Sequence, residues 1–319
     1  MIYTHPYTDI LNNVDSIASD LVLQDHLGGF DIHHYNLVLD KLNKNALARG
    51  TKYNVTYHNI LDKSVLDCYP NLNITFSAKH QNQFNLDKFV DYNMHPELDY
   101  KNFVCSFNGT PHVSRKLVTS ILQKFNWFDP NYCSKNFYYS VDTLTGHISD
   151  LVGDRENFYR KFFISTNSTE FFQTVYSFGH ERYRHGLNIY NLEKQITQSF
   201  VHLVSETLAT SYVPFVTEKF LYSVVTRGLF LTYAQPGWHK HLQEFYGFRL
   251  YNKLFDYRFD SIVNPVERLV ELTSMLSKFS LSTPAEWNDL YLMESDTIEY
   301  NYNHYFSQDY LRCLESYEH

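Results

Sequence analysis

Two short runs hold the residue types that bind a diphosphate and the hydroxyls of a sugar. Ser205-Glu206 closes the apolar run Val201-His-Leu-Val, and Thr217-Glu218-Lys219 opens a second apolar stretch. The first run reads as a strand and the second as the start of a helix, so both lie at one end of a strand–loop–helix unit. At such a helix start Thr217 can cap, the first backbone N–H groups carry partial positive charge, and Lys219 adds a full one. Together they form a diphosphate site without a glycine-rich loop. Glu218 can accept hydrogen bonds from two vicinal hydroxyls, as a ribose presents, and Glu206, beside Ser205, can hold sugar or ribose hydroxyls. The same residues also suit ordinary helix capping, because acids favour helix N-termini whatever the function.

Several other chemistries lack their motifs. The chain has no G-x-G-x-x-G, no G-x-x-x-x-G-K-[ST] and no G-x-S-x-G. In His180-Glu-Arg-Tyr-Arg-His185 the histidines are five apart, which puts them about 140° apart on a helix, too far to share one metal. No D-x-D occurs, so a Mn²⁺-diphosphate site built on paired carboxylates is not expected, and no metal or cofactor is. His239-Lys-His241 offers a possible metal pair, set against a reading as two exposed helix residues. Cys68, Cys105, Cys133 and Cys313 are scattered without a C-x-x-C pair, so reduced thiols are expected.

The elements that must position these residues follow from periodicity. Residues 20–24 read as a strand, and a polar, glycine-bearing loop follows with Asp25 and Asp31. A helix ending before Gly50 then carries Tyr35, Leu37, Val38, Leu42, Ala46 and Leu47 on one face. Strands are expected at 53–58, 72–76, 103–107, 136–141, 201–205 and 229–233. Helices are expected after Ser114, which would cap the first; from Thr217 to a closing Gly228; from Pro236 to Gly247; and over 265–279. Strands alternating with helices imply parallel sheets covered on both faces. The expected fold class is therefore α/β, with two Rossmann-like domains facing a cleft. The divisions are residues 1–100 (acceptor side), 101–280 (nucleotide-sugar side) and a Tyr-rich tail, 281–319, laid back across the first domain.

Composition narrows the function. With 27 basic against 35 acidic residues the net charge is −8, which disfavours a general nucleic-acid coat. Aromatics make up 17% of the chain, too many for a disordered one. The sequence contains no run suited to a membrane span and begins without a signal-peptide pattern, so a cytoplasmic setting is expected. Its Asn, Tyr, Lys and Phe richness hints at an AT-rich or viral genome.

The run VHLVSET…FVTEKFLYSVVTRGLFLTYAQPGWHKHLQEFYGF resembles the donor-binding signature of α-1,3-fucosyltransferases and of fucosyltransferase-like glycosyltransferases of phages and other viruses. FVCSFNGTPHVSRKLVTSILQKFNW is similar to a strand–turn–helix of those relatives, with Asn108 and Arg115 matching. FRLYNKLFDYRFDSIVNPVERL resembles a later segment of the viral members. Thr207 stands where the family has Asn, Ser114 where it has His, and the loop to Thr217 is two residues longer than in the cellular enzymes. The resemblance implies a two-domain (GT-B), inverting, metal-independent glycosyltransferase, with Glu218 on the ribose and Lys219 on the diphosphate.

That chemistry would be a single displacement at the anomeric carbon, with a carboxylate taking the acceptor's proton. Asp25 and Asp31 are the candidates for the base, with His33 behind them; Asp31 also suits an N-cap. Arg115, Arg160, Arg182 and Arg184 are candidates to stabilise the leaving diphosphate. The partners expected are a nucleotide sugar and an acceptor glycan, lipid-linked sugar, protein or modified DNA. A DNA glycosyltransferase acting on hydroxymethylated bases, and a binding or structural protein that kept the fold without catalysis, are the alternatives.

Overall fold

The computed structural model describes residues 3–4, 21–23, 32–57, 66–76, 98–108, 113–135, 180–182, 188–190, 192–206, 209 and 216–316. The expected strand at 136–141, most of the polar stretch 80–101 at the expected domain boundary, Asp25, Asp31, Arg160 and Arg184 lie outside them, as do the side chains of His33, Arg182 and Glu218.

The first sheet contains β1 (Tyr3–Thr4), β2 (Leu21–Leu23), β3 (Tyr53–Tyr57) and β4 (Leu72–Phe76), in that order and all parallel. Helix α1 (Ile32–Ala48) makes the crossover from β2 to β3. It stops at Gly50, whose φ of +62° is the left-handed conformation that glycine adopts without a Cβ clash. Leu39, Leu42 and Ala46 are buried, one face at helical spacing. Leu47 was expected on that face but is exposed: it follows Ala46 by a further 100° around the helix.

The second sheet contains β5 (Asn102–Asn108), β6 (Cys133–Lys135), β9 (Ser199–Ser205) and β10 (Phe230–Tyr233), all parallel in the order β10-β9-β5-β6. Every residue of β9 is buried, as a central parallel strand covered on both faces requires. Between β6 and β9, β7 (His180–Arg182) and β8 (Asn188–Tyr190) form a separate antiparallel pair, so the first half of the His180–His185 run is strand. Helix α2 (Val113–Lys124) joins β5 to β6. The short α3 (Glu193–Thr197) leads into β9, and a 3-10 turn, Glu218–Phe220, runs into α4 (Leu221–Val225) before β10. Beyond β10 come α5 (Trp238–Tyr246), α6 (Pro265–Ser277), α7 (Pro284–Met293), α8 (Ser295–Phe306) and α9 (Asp309–Glu315).

Two glycines behave differently from one another at helix ends. Gly247 closes α5 with φ +74°, as expected. At the end of α4 the left-handed residue is Arg227, φ +55°, not Gly228. Gly228 is required for space: a Cβ there would lie 2.7 Å from Ile196 Cγ2. Asn264 caps α6 by accepting from the N–H groups of Val266 and Glu267 at 3.0 and 3.1 Å, with Pro265 at the first helical position.

The described part of the C-terminal stretch, residues 281–316, contributes to the core of the second sheet. Trp287, Tyr291, Ile298, Tyr305, Tyr310 and Leu314 are buried in the same core as β5, β9, β10 and α6. Trp287 stacks on Phe200 at 5.8 Å, and Arg227 pairs with Glu299 at 2.6 Å while lying over the Tyr302 ring at 3.5 Å. The buried tyrosines here present the apolar bodies of their rings to that core. Among the described residues no helix is long and apolar enough to cross a membrane. The four cysteines carry reduced thiols, and burial pushes that of Cys133 up to about 12.

Candidate functional site

The second sheet changes winding direction between β9 and β5. One strand connects through α2 outward to β6, the other through α4 outward to β10. With right-handed crossovers α2 and α4 cover opposite faces, and the two connections part at the carboxyl ends of β5 and β9. In open parallel sheets this is where ligands bind. The residues there are Asn108, Ser205 with Glu206, and Tyr233; Ser205 pairs with Tyr233, and extending the β5–β9 register sets Asn108 beside Ser205.

Alternation along the strands divides these residues between the two faces. His202 bonds through Nδ1 to Ser223 Oγ of α4 at 2.8 Å, so its face is the α4 face. Glu206, four residues on, shares it and is fully buried. The Thr217 amide donates to Glu206 Oε1 at 3.0 Å, and the Thr217 hydroxyl lies 2.8 Å from each carboxylate oxygen. The Lys219 ammonium donates to Thr217 Oγ1 at 2.7 Å and pairs with Glu206 Oε2 at 3.4 Å. The Lys219 side chain stays 23% exposed against 0% for Glu206, so a buried carboxylate fixes an ammonium that solvent still reaches.

Glu206 thus serves within the chain as the counter-ion of Lys219 rather than as an open acceptor for hydroxyls, because both its oxygens are engaged. Thr217 is also used differently from a helix cap: its hydroxyl lies 3.5 Å from the Lys219 amide and makes shorter contacts with Glu206. The helix expected from Thr217 to Gly228 is one 3-10 turn and five α residues, too short for the strong dipole assumed for it.

Ser205 and Asn108 share the other face. Both are buried, and Asn108 Nδ2 donates to Ser106 Oγ at 3.1 Å. Asn108 Oδ1 and Ser205 Oγ have no hydrogen-bond partner among the described residues. The start of α2 closes this side. Ser114, expected as its cap, sits within the first turn, and its hydroxyl donates to the Glu206 carbonyl at 2.5 Å. That bond ties α2 to the end of β9. Arg115 and Lys116 follow, both buried, and desolvation lowers the Lys116 ammonium from its ordinary value.

The structure therefore gathers Asn108, Arg115, Ser205, Glu206, Thr217 and Lys219 at one edge of one sheet, split between its faces. It gives Arg182 a place only by backbone, in β7. Lys116 was not singled out in the sequence, yet two cations in the first turn of a helix oppose its dipole, a signal that they serve something else.

The His239/His241 pair is not a metal site. His239 Nδ1 meets Asp260 Oδ1 at 2.8 Å, and its Nε2 accepts from the Thr232 amide at 3.2 Å, which fixes the proton on Nδ1. Burial opposes the Asp260 charge, but His239 and the first amides of α5 hold that carboxyl below its usual range. His241 is buried too, not exposed, and burial pushes its imidazole down to about 3. Among the described residues no group of three or more His, Cys, Asp or Glu side chains converges as a metal would need.

Fold and site together define a mixed α/β protein with parallel sheets and a polar, cation-bearing carboxyl edge at the turning point of its second sheet. No protein-family model matches the chain, nor does any curated protein or solved structure.

Proposed function

We propose that the chain is a metal-independent, inverting glycosyltransferase of fucosyltransferase-like kind, with two Rossmann-like units across a cleft, that moves a sugar from a nucleoside-diphosphate sugar to an acceptor hydroxyl. The observation that carries this reading is Lys219, anchored by buried Glu206 and Thr217 at the carboxyl edge beside the Arg115-Lys116 helix start. A diphosphate needs cations held in place before it arrives, and this arrangement supplies them without a glycine-rich loop. Glu218 next to Lys219 is assigned to the ribose, Asn108 and Ser205 to polar groups of the donor, and Arg115 and Arg182 to the phosphates.

In the reaction the acceptor oxygen forms a bond to the anomeric carbon as the bond from that carbon to the diphosphate oxygen breaks. The electron pair leaves with the diphosphate, and the acceptor proton passes to a carboxylate, assigned to Asp31 or Asp25. Lys219 and Arg115 stabilise the charge that builds on the leaving group.

A thermal-shift screen of nucleotide sugars tests donor binding; a true donor at 100 times its Kd adds about 2.7 kcal/mol of stability. Lys219→Ala is expected to remove about 2–3 kcal/mol of that donor's affinity by calorimetry, the worth of a charge-assisted contact. Unchanged affinity rejects the site. Transfer of labelled sugar to glycan, protein, plain DNA and hydroxymethylated DNA then identifies the acceptor.

A further inference from the structure

Arg268 lies on α6 in register with Leu272 and Met275, on the inward stripe of that helix, and only 1% of it is exposed. A guanidinium is costly to bury, and the usual remedy is a carboxylate in contact with it. Here the hydrogen-bond partners are backbone carbonyls, and the Asp260 carboxylate favours the charge from nearby without a bond to it among the described residues. Nη1 donates to the carbonyls of Ile262 and Val263, the latter at 3.2 Å, and Nη2 donates to the carbonyl of Ala209. The guanidinium also sits 5.7 Å from the centre of the Tyr233 ring, whose hydroxyl donates to the Pro265 carbonyl at 2.8 Å.

These partners join three places that are distant in sequence. Ala209 lies four residues past the end of β9, in the connection that runs from Glu206 to Thr217. Tyr233 ends β10 and pairs with Ser205. Ile262 and Val263 precede α6. One planar fork with several donors spans them, which a Lys ammonium on its single point of attachment cannot reproduce.

We infer that Arg268 is a positioning residue, fixing the backbone at Ala209, between Glu206 and Thr217-Glu218-Lys219 in the chain, and so the placement of those residues at the carboxyl edge of the sheet. The inference rests on the proposed donor site for its functional consequence and on the Arg268–Ala209 bond for its physical content. Arg268 touches no donor in this scheme; it sets where the residues that do are held. An apolar residue of similar volume would fill the space without holding the Ala209 carbonyl.

Amide hydrogen exchange on the full chain, in the wild type, Arg268→Met and Arg268→Lys, tests this. In Arg268→Met, exchange at Ala209 and in peptides covering 216–220 is expected to rise by about tenfold or more, while β9 and α8 stay within about twofold; the loss is local because one tether is removed. Arg268→Lys is expected to fall between, since it keeps the charge and loses the fork. The Kd of whichever nucleotide sugar the wild type binds is expected to rise by about tenfold in Arg268→Met, with a smaller rise in Arg268→Lys. Unchanged exchange at Ala209 and 216–220 in both variants overturns the inference. So does a uniform rise across the whole core, which would make Arg268 an ordinary packing residue. Should Arg268→Met fail to fold, the Lys variant decides by the same criteria. A wild type that binds no nucleotide sugar refutes the donor site, while the exchange data still judge the tether.

Discussion

Replacing Lys219 by Met removes the ammonium that pairs with Glu206, and the consequence can be worked from the geometry. Breaking a fully buried ion pair by deleting one partner costs about 3–5 kcal/mol, because the other charge is left desolvated. Two features lower that here: Lys219 is 23% exposed, and Thr217 still donates to the carboxylate through its amide at 3.0 Å and its hydroxyl at 2.8 Å. A loss of about 2.5 kcal/mol is therefore expected for Lys219→Met. Glu206→Gln keeps an acceptor for Thr217 and removes the counter-charge of an ammonium that Thr217 and water still reach, so about 1.5 kcal/mol is expected. The double variant has no stranded charge and should lose only about 2 kcal/mol, which leaves a coupling of about 2 kcal/mol in the cycle. Urea unfolding at pH 7 reads this directly. The three tryptophans, Trp127, Trp238 and Trp287, all pack in the core of the second sheet, so their fluorescence reports the unit that holds the pair. The coupling should persist in high salt, since ions do not screen a carboxylate with no exposed surface. A coupling below about 0.5 kcal/mol, the range of independent sites, refutes the reasoning, and so does one that salt abolishes.

Other perturbations test the frame around the site. Gly228→Ala should destabilise by about 1–3 kcal/mol through its clash with Ile196 Cγ2 at 2.7 Å, and Ile196→Ala should relieve part of that loss in a thermal melt of the double variant. Asn264→Ala should cost about 1 kcal/mol by leaving the first amides of α6 without their cap, measured by urea midpoint. Burial holds His202 and His241 at about 3, well below the ordinary histidine value. The unfolded chain therefore binds more protons than the folded one below about pH 6.5, so stability is complete above that pH and is lost as pH falls toward 3. His241→Phe, which keeps a ring against Phe245 and Tyr246, should flatten the fall between pH 7 and 5; an unchanged slope would show that His241 takes no part in it.

Much of the α/β scaffold was legible because its signals are local. The runs at 53–57, 72–76, 102–108 and 199–205 are apolar or β-branched, and the helices at 32–48, 113–124, 238–246 and 265–277 carry apolar stripes, so type and approximate position follow from periodicity. Gly50 and Gly247 marked real stops because positive φ is a property of the single residue. Gly228 did not, because its reason is the methyl group of Ile196, a neighbour only after folding. The C-terminal residues read as a Tyr-rich tail without an assigned place in the second core for the same cause. Tyr291, Tyr305 and Tyr310 reveal their apolar bodies only when a core is present to receive them.

At the candidate site the sequence by itself determined the chemistry on offer: Ser205-Glu206 at a strand end, Thr217-Glu218-Lys219 at a turn, and Asn108 and Arg115 flanking another turn. Only the tertiary structure decided how that chemistry is spent. It turned Glu206 inward to hold Lys219, converted Ser114 from a cap into a tie to β9, paired buried His239 with Asp260 and buried His241, and brought Arg268 to Ala209. The physical reason is that residue types and spacing fix which groups can donate, accept or carry charge. Which of them meet depends on strand order, on the face to which each alternating side chain points, and on what else is buried beside it. None of those three is a local property of the chain.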